Sequence, residues 1–302
     1  MKINKIKFVI KNTIFFIILF SLTSSQAISL IVTNKTHIIE NKVNMNNYDV
    51  MFFQNDFRAV LIGINDYPGT SGDLPYSVNE INSFKKTLIN KGNWNESQIK
   101  MIIDQEANHD NIIDSLEWLA EQETNKDISI IYFVGHGGKI DNNYSFSAYD
   151  SKIYDYELDT IFDTYEGRIV LIMDCCKSGG FTETVKGRGR MIMAACDKDE
   201  LTYQYKQLKS GFFGYFLNLT LEKFTYTAEA TFLIAAPLTY FYSLKISNEL
   251  GKDYIVKPKA SDSTIRTIRL IRPRFLDLFF KESSIELIQP LTKFDDKEIW
   301  LL

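Results

Sequence analysis

The sequence predicts an α/β domain: a three-layer sandwich in which helices cover both faces of a mainly parallel central sheet. Three observations carry that expectation. Short apolar runs of strand length recur at Arg58–Asn65, Ile99–Ile103, Ile128–Val134, Arg168–Met173 and Met191–Ala195. The runs are continuously apolar, which suits strands covered on both faces. Segments with apolar residues at helical spacing alternate with them, the pattern of a wound parallel sheet.

The first strand ends in turn chemistry, Asp66 to Gly72, and the following helix carries Val78, Ile81, Phe84, Leu88 and Ile89 on one stripe. Ile99–Ile103 is the second strand. Asn108 or Asp110 caps the next helix, whose stripe is Ile112, Ile113, Leu116, Leu119 and Ala120. The third strand, Ile128–Val134, runs straight into Gly135, His136, Gly137 and Gly138. A loop leads to a short helix at Tyr156–Phe162. The fourth strand, Arg168–Met173, ends in Asp174, Cys175 and Cys176, and the fifth, Met191–Ala195, ends at Cys196. Helices over residues 211–223 and 230–250 follow, then a last strand at Thr264–Ile271. With no repeat and no internal linker, residues 56–272 read as one domain, and 273–302 as a C-terminal extension.

The N-terminus reads differently. Lys2, Lys5, Lys7 and Lys11 form a basic head, Thr13–Leu22 is an apolar run, and Ser25 and Ala27 supply a small-x-small cleavage pattern. Ten residues of helix rise about 15 Å, half a bilayer core, so the run is too short for a span. Residues 1–27 are therefore expected to be a cleaved signal peptide, and the polar, Asn-rich residues 28–55 an N-terminal extension or the pro-segment of a zymogen. The mature chain is expected to be secreted or periplasmic, without stable membrane insertion. Removing the four lysines takes the formal net charge from −4 to −8. No basic excess exists to neutralise phosphates, which argues against nucleic-acid partners. Ordinary composition, 45% hydrophobic and 24% charged, argues against disorder. Three cysteines are too few to staple a small domain and leave one unpaired.

In open parallel sheets, sites form beyond the carboxyl ends of the strands. His136 follows the third strand and Cys176 the fourth. A thiolate attacks carbonyls, and a nearby histidine accepts the thiol proton and later protonates the leaving amine. The tetrahedral intermediate needs backbone donors, for which the N–H groups of Gly137 and Cys176 are the candidates. Cys175, one residue back on the strand, is expected to point away from Cys176 and to be, like Cys196, a buried thiol.

Tyr132–Gly138 and Met173–Gly180 resemble the two catalytic blocks of the caspase–metacaspase superfamily of cysteine peptidases, to which legumain also belongs. There a strand ends in Gly-His-Gly, and another ends in acidic-x-Cys-x-Ser-Gly, whose cysteine is the nucleophile. The resemblance assigns the base to His136 and the nucleophile to Cys176. It extends through Ala59–Asn65 with Leu74–Glu80, Ala194–Tyr203 and Gly211–Phe216, covering residues 57 to 224 in order. It departs at Lys177, Ser77, Glu80 and Val134, where metacaspases carry His, Cys, Asp and Ser. The resemblance implies a caspase-like fold and a Cys-His dyad acting on protein or peptide substrates.

Asp174 maps onto the family's pocket-lining position, with Glu80 and Ser77 beside it. A carboxylate at a pocket base selects a cationic side chain, so cleavage after Arg or Lys is expected. The basic, Gly-rich stretch Thr184–Arg190 reads as an exposed self-processing site at Lys186, Arg188 or Arg190. Asp150, Asp155, Glu157 and Asp159 are either an activating calcium site or an ordinary acidic helix start. No zinc spacing or phosphate-cradling loop is present, and no cofactor is expected. His37 and His109 read as surface residues. The competing functions are a legumain-like Asn/Asp-specific peptidase or transpeptidase and a non-catalytic caspase-like binding module.

Overall fold

In the computed structural model, which describes residues 57–69, 72–271 and 294–302, six strands form the central sheet. They are β1 (Phe57–Gly63), β2 (Ile99–Ile103), β3 (Ile128–Val134), β7 (Arg168–Asp174), β8 (Arg190–Ala194) and β11 (Lys259–Asp262), in the spatial order β11-β8-β7-β3-β1-β2. All pairings are parallel except β11 with β8. Every residue of β3 is buried, because helices lie over both faces of the sheet. The expectations for residues 1–27, 28–55 and His37 lie outside the described residues.

The order places those helices. From β1 the chain passes outward to β2 through α1 (Ser77–Gly92), then back across β1 to β3 through α2 (His109–Gln122). Right-handed crossovers in opposite directions put α1 and α2 on opposite faces. Helix α5 (Phe212–Lys223) packs on α1, and α6 (Ala228–Leu250) on α5. Helix α3 (Asp155–Phe162) packs on α2, and α4 (Phe181–Thr184) on α3. Asn108 is the cap of α2, its side chain accepting from Asn111 N at 2.9 Å.

Two small antiparallel sheets were not foreseen. One joins β4 (Gly137–Ile140), β5 (Asn143–Ser147) and β6 (Lys152–Tyr154), where the sequence reads as loop. The other has the order β10-β9-β12, from β9 (Tyr203–Tyr205), β10 (Ser210–Gly211) and β12 (Ile299–Leu301). These strands are two to five residues long, too short for periodicity to register.

One predicted strand is corrected. Thr264–Ile271 is rich in β-branched residues, yet the strand that pairs with β8 is Lys259–Asp262. Ile268, Leu270 and Ile271 are buried by packing rather than in a ladder. Their backbone is held by single bonds, Leu270 N to Tyr226 O at 2.8 Å and Ala228 N to Ile268 O at 2.9 Å. These bonds form one isolated antiparallel bridge, Arg269 opposite Thr227, which does not extend into a ladder.

Candidate active site

The parallel register sets the site. Val134 at the end of β3 is opposite Asp174 at the end of β7, so His136 and Cys176 lie equally far past two neighbouring strand ends. After β7 the chain turns sharply, with Lys177 in the left-handed region at φ 58° and its N–H donating to Glu200 O at 2.9 Å. Cys176 Sγ accepts from Thr202 N at 3.4 Å and donates to Thr202 O at 3.7 Å. The His136 Nε2 lies 2.7 Å from Gly72 O, and its ring lies against Tyr67, centroids 4.9 Å apart. The backbone N–H of His136 donates to the Tyr67 hydroxyl at 3.0 Å. Among the described residues, neither reactive side chain hydrogen-bonds the other.

Burial sets the resting protonation of both. It pushes the Cys176 thiol up to about 11, with the Thr202 backbone bond opposing. It lowers His136 below its ordinary value, against the bond to Gly72 O. Both shifts favour an uncharged thiol and imidazole over an ion pair.

Gly137 packs directly on the turn at Cys175 and Cys176. A Cβ there would lie 2.6 Å from Cys175 Sγ and 2.7 Å from Cys176 O, so only glycine fits. Ser147 N donates to His136 O at 2.8 Å, and bonded pairs alternate along an antiparallel ladder. Gly137, opposite Phe146, is therefore in a non-bonded pair, with its N–H directed away from β5. All three cysteines are buried and free. Cys175 faces Gly137, while Cys196 Sγ sits near Ser178 Oγ (3.6 Å) and Cys175 O (3.5 Å).

Asp174 and Glu80 meet in a buried cluster. Asp174 accepts from Gly214 N at 2.9 Å and Thr202 Oγ1 at 3.5 Å. Glu80 accepts from Tyr132 OH and Gly211 N, each at 2.5 Å, and from Ser210 Oγ at 2.7 Å. Burial raises both carboxyls, Asp174 further because of the Glu80 charge beside it. Gly211 and Gly214 open α5 at the positive end of its dipole. A Cβ on Gly214 would stand 2.1 Å from Glu80 Oε1, so the glycines admit the carboxylates to the helix terminus. Ser77 Oγ accepts from Gln204 Nε2 at 2.9 Å, and Gln204 Oε1 accepts from Tyr76 N at 3.0 Å.

The Caspase domain family matches residues 56–236. The chain belongs to that family. It is similar to Metacaspase-8 of Arabidopsis thaliana, 29% identical over 188 residues that cover 55% of this chain and 49% of that protein. It is similar to Metacaspase-1 of Candida albicans, 30% identical over 115 residues that cover 34% and 25%. The chain thus spans half or less of the length of these curated relatives. A crystal structure of a protein from Geobacter sulfurreducens shares the fold, with a TM-score of 0.52 at 12% identity over 70% of this chain and 94% of that one. The caspase-like α/β architecture and the superfamily resemblance expected from the sequence both hold.

Within this caspase domain, His136, Gly137 and Cys176 come together at the strand ends, and Asp174, Glu80 and Ser77 gather behind them. Sequence reasoning missed Thr202, Gln204, Tyr132, Gly211 and Gly214. The block Ala194–Tyr203 and the glycines of Gly211–Phe216 stood in the resemblance, but nothing in their spacing shows that they converge on Asp174. A cavity of about 250 Å³ reaches Glu80 between α1 and α5, bordered by Ser83, Ser210, Gly214 and Asn218. Neither His136 nor Cys176 borders it.

The exposed processing loop needs correction at one position. Lys186 and Arg188 are exposed, but Arg190 is buried in β8. Its guanidinium pairs with Asp159 at 2.6 Å and Asp163 at 2.5 Å and donates to Val185 O at 3.0 Å. The acidic residues offered for calcium do not converge either. Asp155 accepts from Tyr144 N, Glu157 from Tyr154 N, Asp150 from His109 N, and Asp159 from Arg190. Among the described residues no group of three or more His, Cys, Asp or Glu is arranged to hold a metal. His109 is partly exposed and bridges Glu157 (3.0 Å) and Asp110 (3.2 Å).

Proposed function

We propose that the chain is a cysteine endopeptidase, with Cys176 as nucleophile, His136 as general base, and cleavage after Arg or Lys. The register Val134 opposite Asp174 carries this reading, because it sets a thiol and an imidazole at adjacent strand ends. A substrate carbonyl reaching Cys176 is attacked by sulfur as the thiol proton passes to His136. With Nε2 donating to Gly72 O, the neutral imidazole takes that proton on Nδ1, then delivers it to the leaving amine. The N–H groups of Gly137 and Cys176 stabilise the oxyanion. Water then attacks the thioester carbonyl, with His136 again as base, releasing the acid and the free thiol. The uncharged resting pair fits an enzyme whose proton transfer begins only once substrate has entered.

The Asp174–Glu80 pair supports the cationic preference, since a cationic side chain reaching two adjoining carboxyl groups relieves their mutual repulsion. The basic head and apolar run support export, and Lys186 and Arg188 remain the accessible self-processing positions. The test is a library scanning the residue before the scissile bond, run beside labelling of Cys176 by a peptidyl chloromethyl ketone. Cleavage after Arg and Lys and a single adduct on Cys176, lost in His136→Ala, support the reading. Preference for Asn or Asp, or transfer to an added amine, points to the legumain-like alternative. No adduct under reducing conditions points to a binding module.

A further inference from the structure

We propose that residues 295–302 dock in cis along the edge of β9, in the strand position that a substrate takes beside Cys176, and keep the thiol covered until displaced. The inference rests on the peptidase reading only in naming the displacing ligand as substrate. Strand β12 pairs antiparallel with β9, Trp300 opposite Gln204 and Leu301 opposite Tyr203. The ladder extends at both ends, with Lys206 N donating to Glu298 O at 3.0 Å and Leu302 N to Thr202 O at 3.1 Å.

Thr202 is the residue that holds the nucleophile. Its carbonyl accepts from both Leu302 N and Cys176 Sγ, and its N–H reaches the same sulfur. An extended peptide on β9 thus ends opposite Cys176. Leu302 is 2% exposed and Cys176 3%, so this one side chain of the segment and the thiol are both buried, while Leu301 is 48% exposed. Trp300 stands edge-on to Tyr76, centroids 5.5 Å apart, next to Ser77 and Gln204. Lys206 with Glu298, and Lys252 with Asp296, tie down the approach to the strand.

The other edge of β9 is taken by β10, so one strand position is available and β12 fills it. Addition of a strand to a sheet edge is a general mode of peptide capture, with main-chain bonds supplying affinity and side-chain pockets specificity. Two peptides cannot use one edge. The occupant also carries leucine opposite the thiol, not the arginine or lysine that the carboxylate pair would select, which suits a segment that binds without being cut.

The experiment uses the full chain under reducing conditions and follows iodoacetamide modification of Cys176 by mass spectrometry. Trp300→Ala and Leu302→Asp, which disturb different contacts, are each expected to react about tenfold faster than wild type. A free peptide of residues 295–302 is expected to restore the slow rate to Trp300→Ala, and a scrambled peptide is not. Equal rates for all three proteins, or no protection by the peptide, overturn the proposal. A wild-type rate that falls as protein concentration rises assigns the edge to a second copy and overturns docking in cis. Alkylation needs no turnover. Variants that expose Cys176 yet cleave nothing in the peptide library would keep the docking and remove the peptidase reading. Cleavage with unchanged alkylation would do the reverse.

Discussion

Asp174 and Cys176 stand two residues apart, yet their surroundings are opposite in kind. Asp174 lies fully within hydrogen bonds from Gly214 and Thr202 and against Glu80. Cys176 is held by sulfur contacts to one residue alone, and its partner in chemistry is bonded elsewhere, to Gly72. A buried charge is tolerated only when its donors are fixed in advance, so the carboxylate pair sits at a helix terminus built around glycine. A nucleophile must exchange partners during reaction, and weak sulfur contacts leave it free to do so.

The largest effect should come from the loosely held side. Cys176→Ala should lower peptidase kcat by about 10³–10⁶-fold, with thermal unfolding little changed, because a small thiol with weak partners is lost. His136→Ala should cost activity on a similar scale. If either variant kept near wild-type turnover, the dyad would be wrong.

Asp174→Ala should do the reverse and act mainly on stability, by about 3 kcal/mol, since it leaves the buried Gly214 N–H and Thr202 hydroxyl without their acceptor. Denaturant melts measure the loss, and an Asp174→Asn variant, which keeps the shape and a donor toward Glu80, should lose less. Surviving activity in Asp174→Asn should show a weakened preference for Arg and Lys; an unchanged preference would detach the pair from specificity.

The pH behaviour separates the two regions further. With its thiol pushed up to about 11, Cys176 should alkylate about tenfold faster per pH unit from pH 7 to 10, with no plateau, because only thiolate reacts. A plateau near neutrality would reveal a resting ion pair instead. Away from the site, Glu123 bonds to Ser129 and Gly167, and burial raises its carboxyl to about 7. A carboxyl raised in the folded state gives stability that is full below its unfolded value near 4.5 and is lost as pH climbs through about 7. Unfolding free energy should therefore fall by about 2 kcal/mol between pH 4.5 and 8 from this group, and Glu123→Gln should flatten that slope.

The smallest contrast lies in the basic stretch. Arg190→Ala should destabilise by about 2 kcal/mol, whereas Lys186→Ala, on the exposed turn, should stay within about 0.5 kcal/mol. Equal effects on melting would contradict the burial of Arg190.

A continuous apolar run made β3 readable to the residue, because a strand covered on both faces leaves little choice of side chain; the edge strand β2 was readable too, from its β-branched residues despite Lys100. Glycines around His136 and Cys176 marked two places where backbone must approach closely, and the register sets both at adjacent strand ends. The convergence of Glu80 on Asp174 was not readable from spacing, as the residues lie 94 positions apart and are joined only when α1 and α5 pack on the same face. Nor was the fate of Arg190, a basic residue in a basic, Gly-rich stretch until the acids of α3 and the turn after it close over it. The pairing of β12 with β9 belongs to the same group. Local pattern follows from what each segment must bury, and it was written in the chain; which distant polar groups satisfy one another depends on packing, and only the folded molecule decided it.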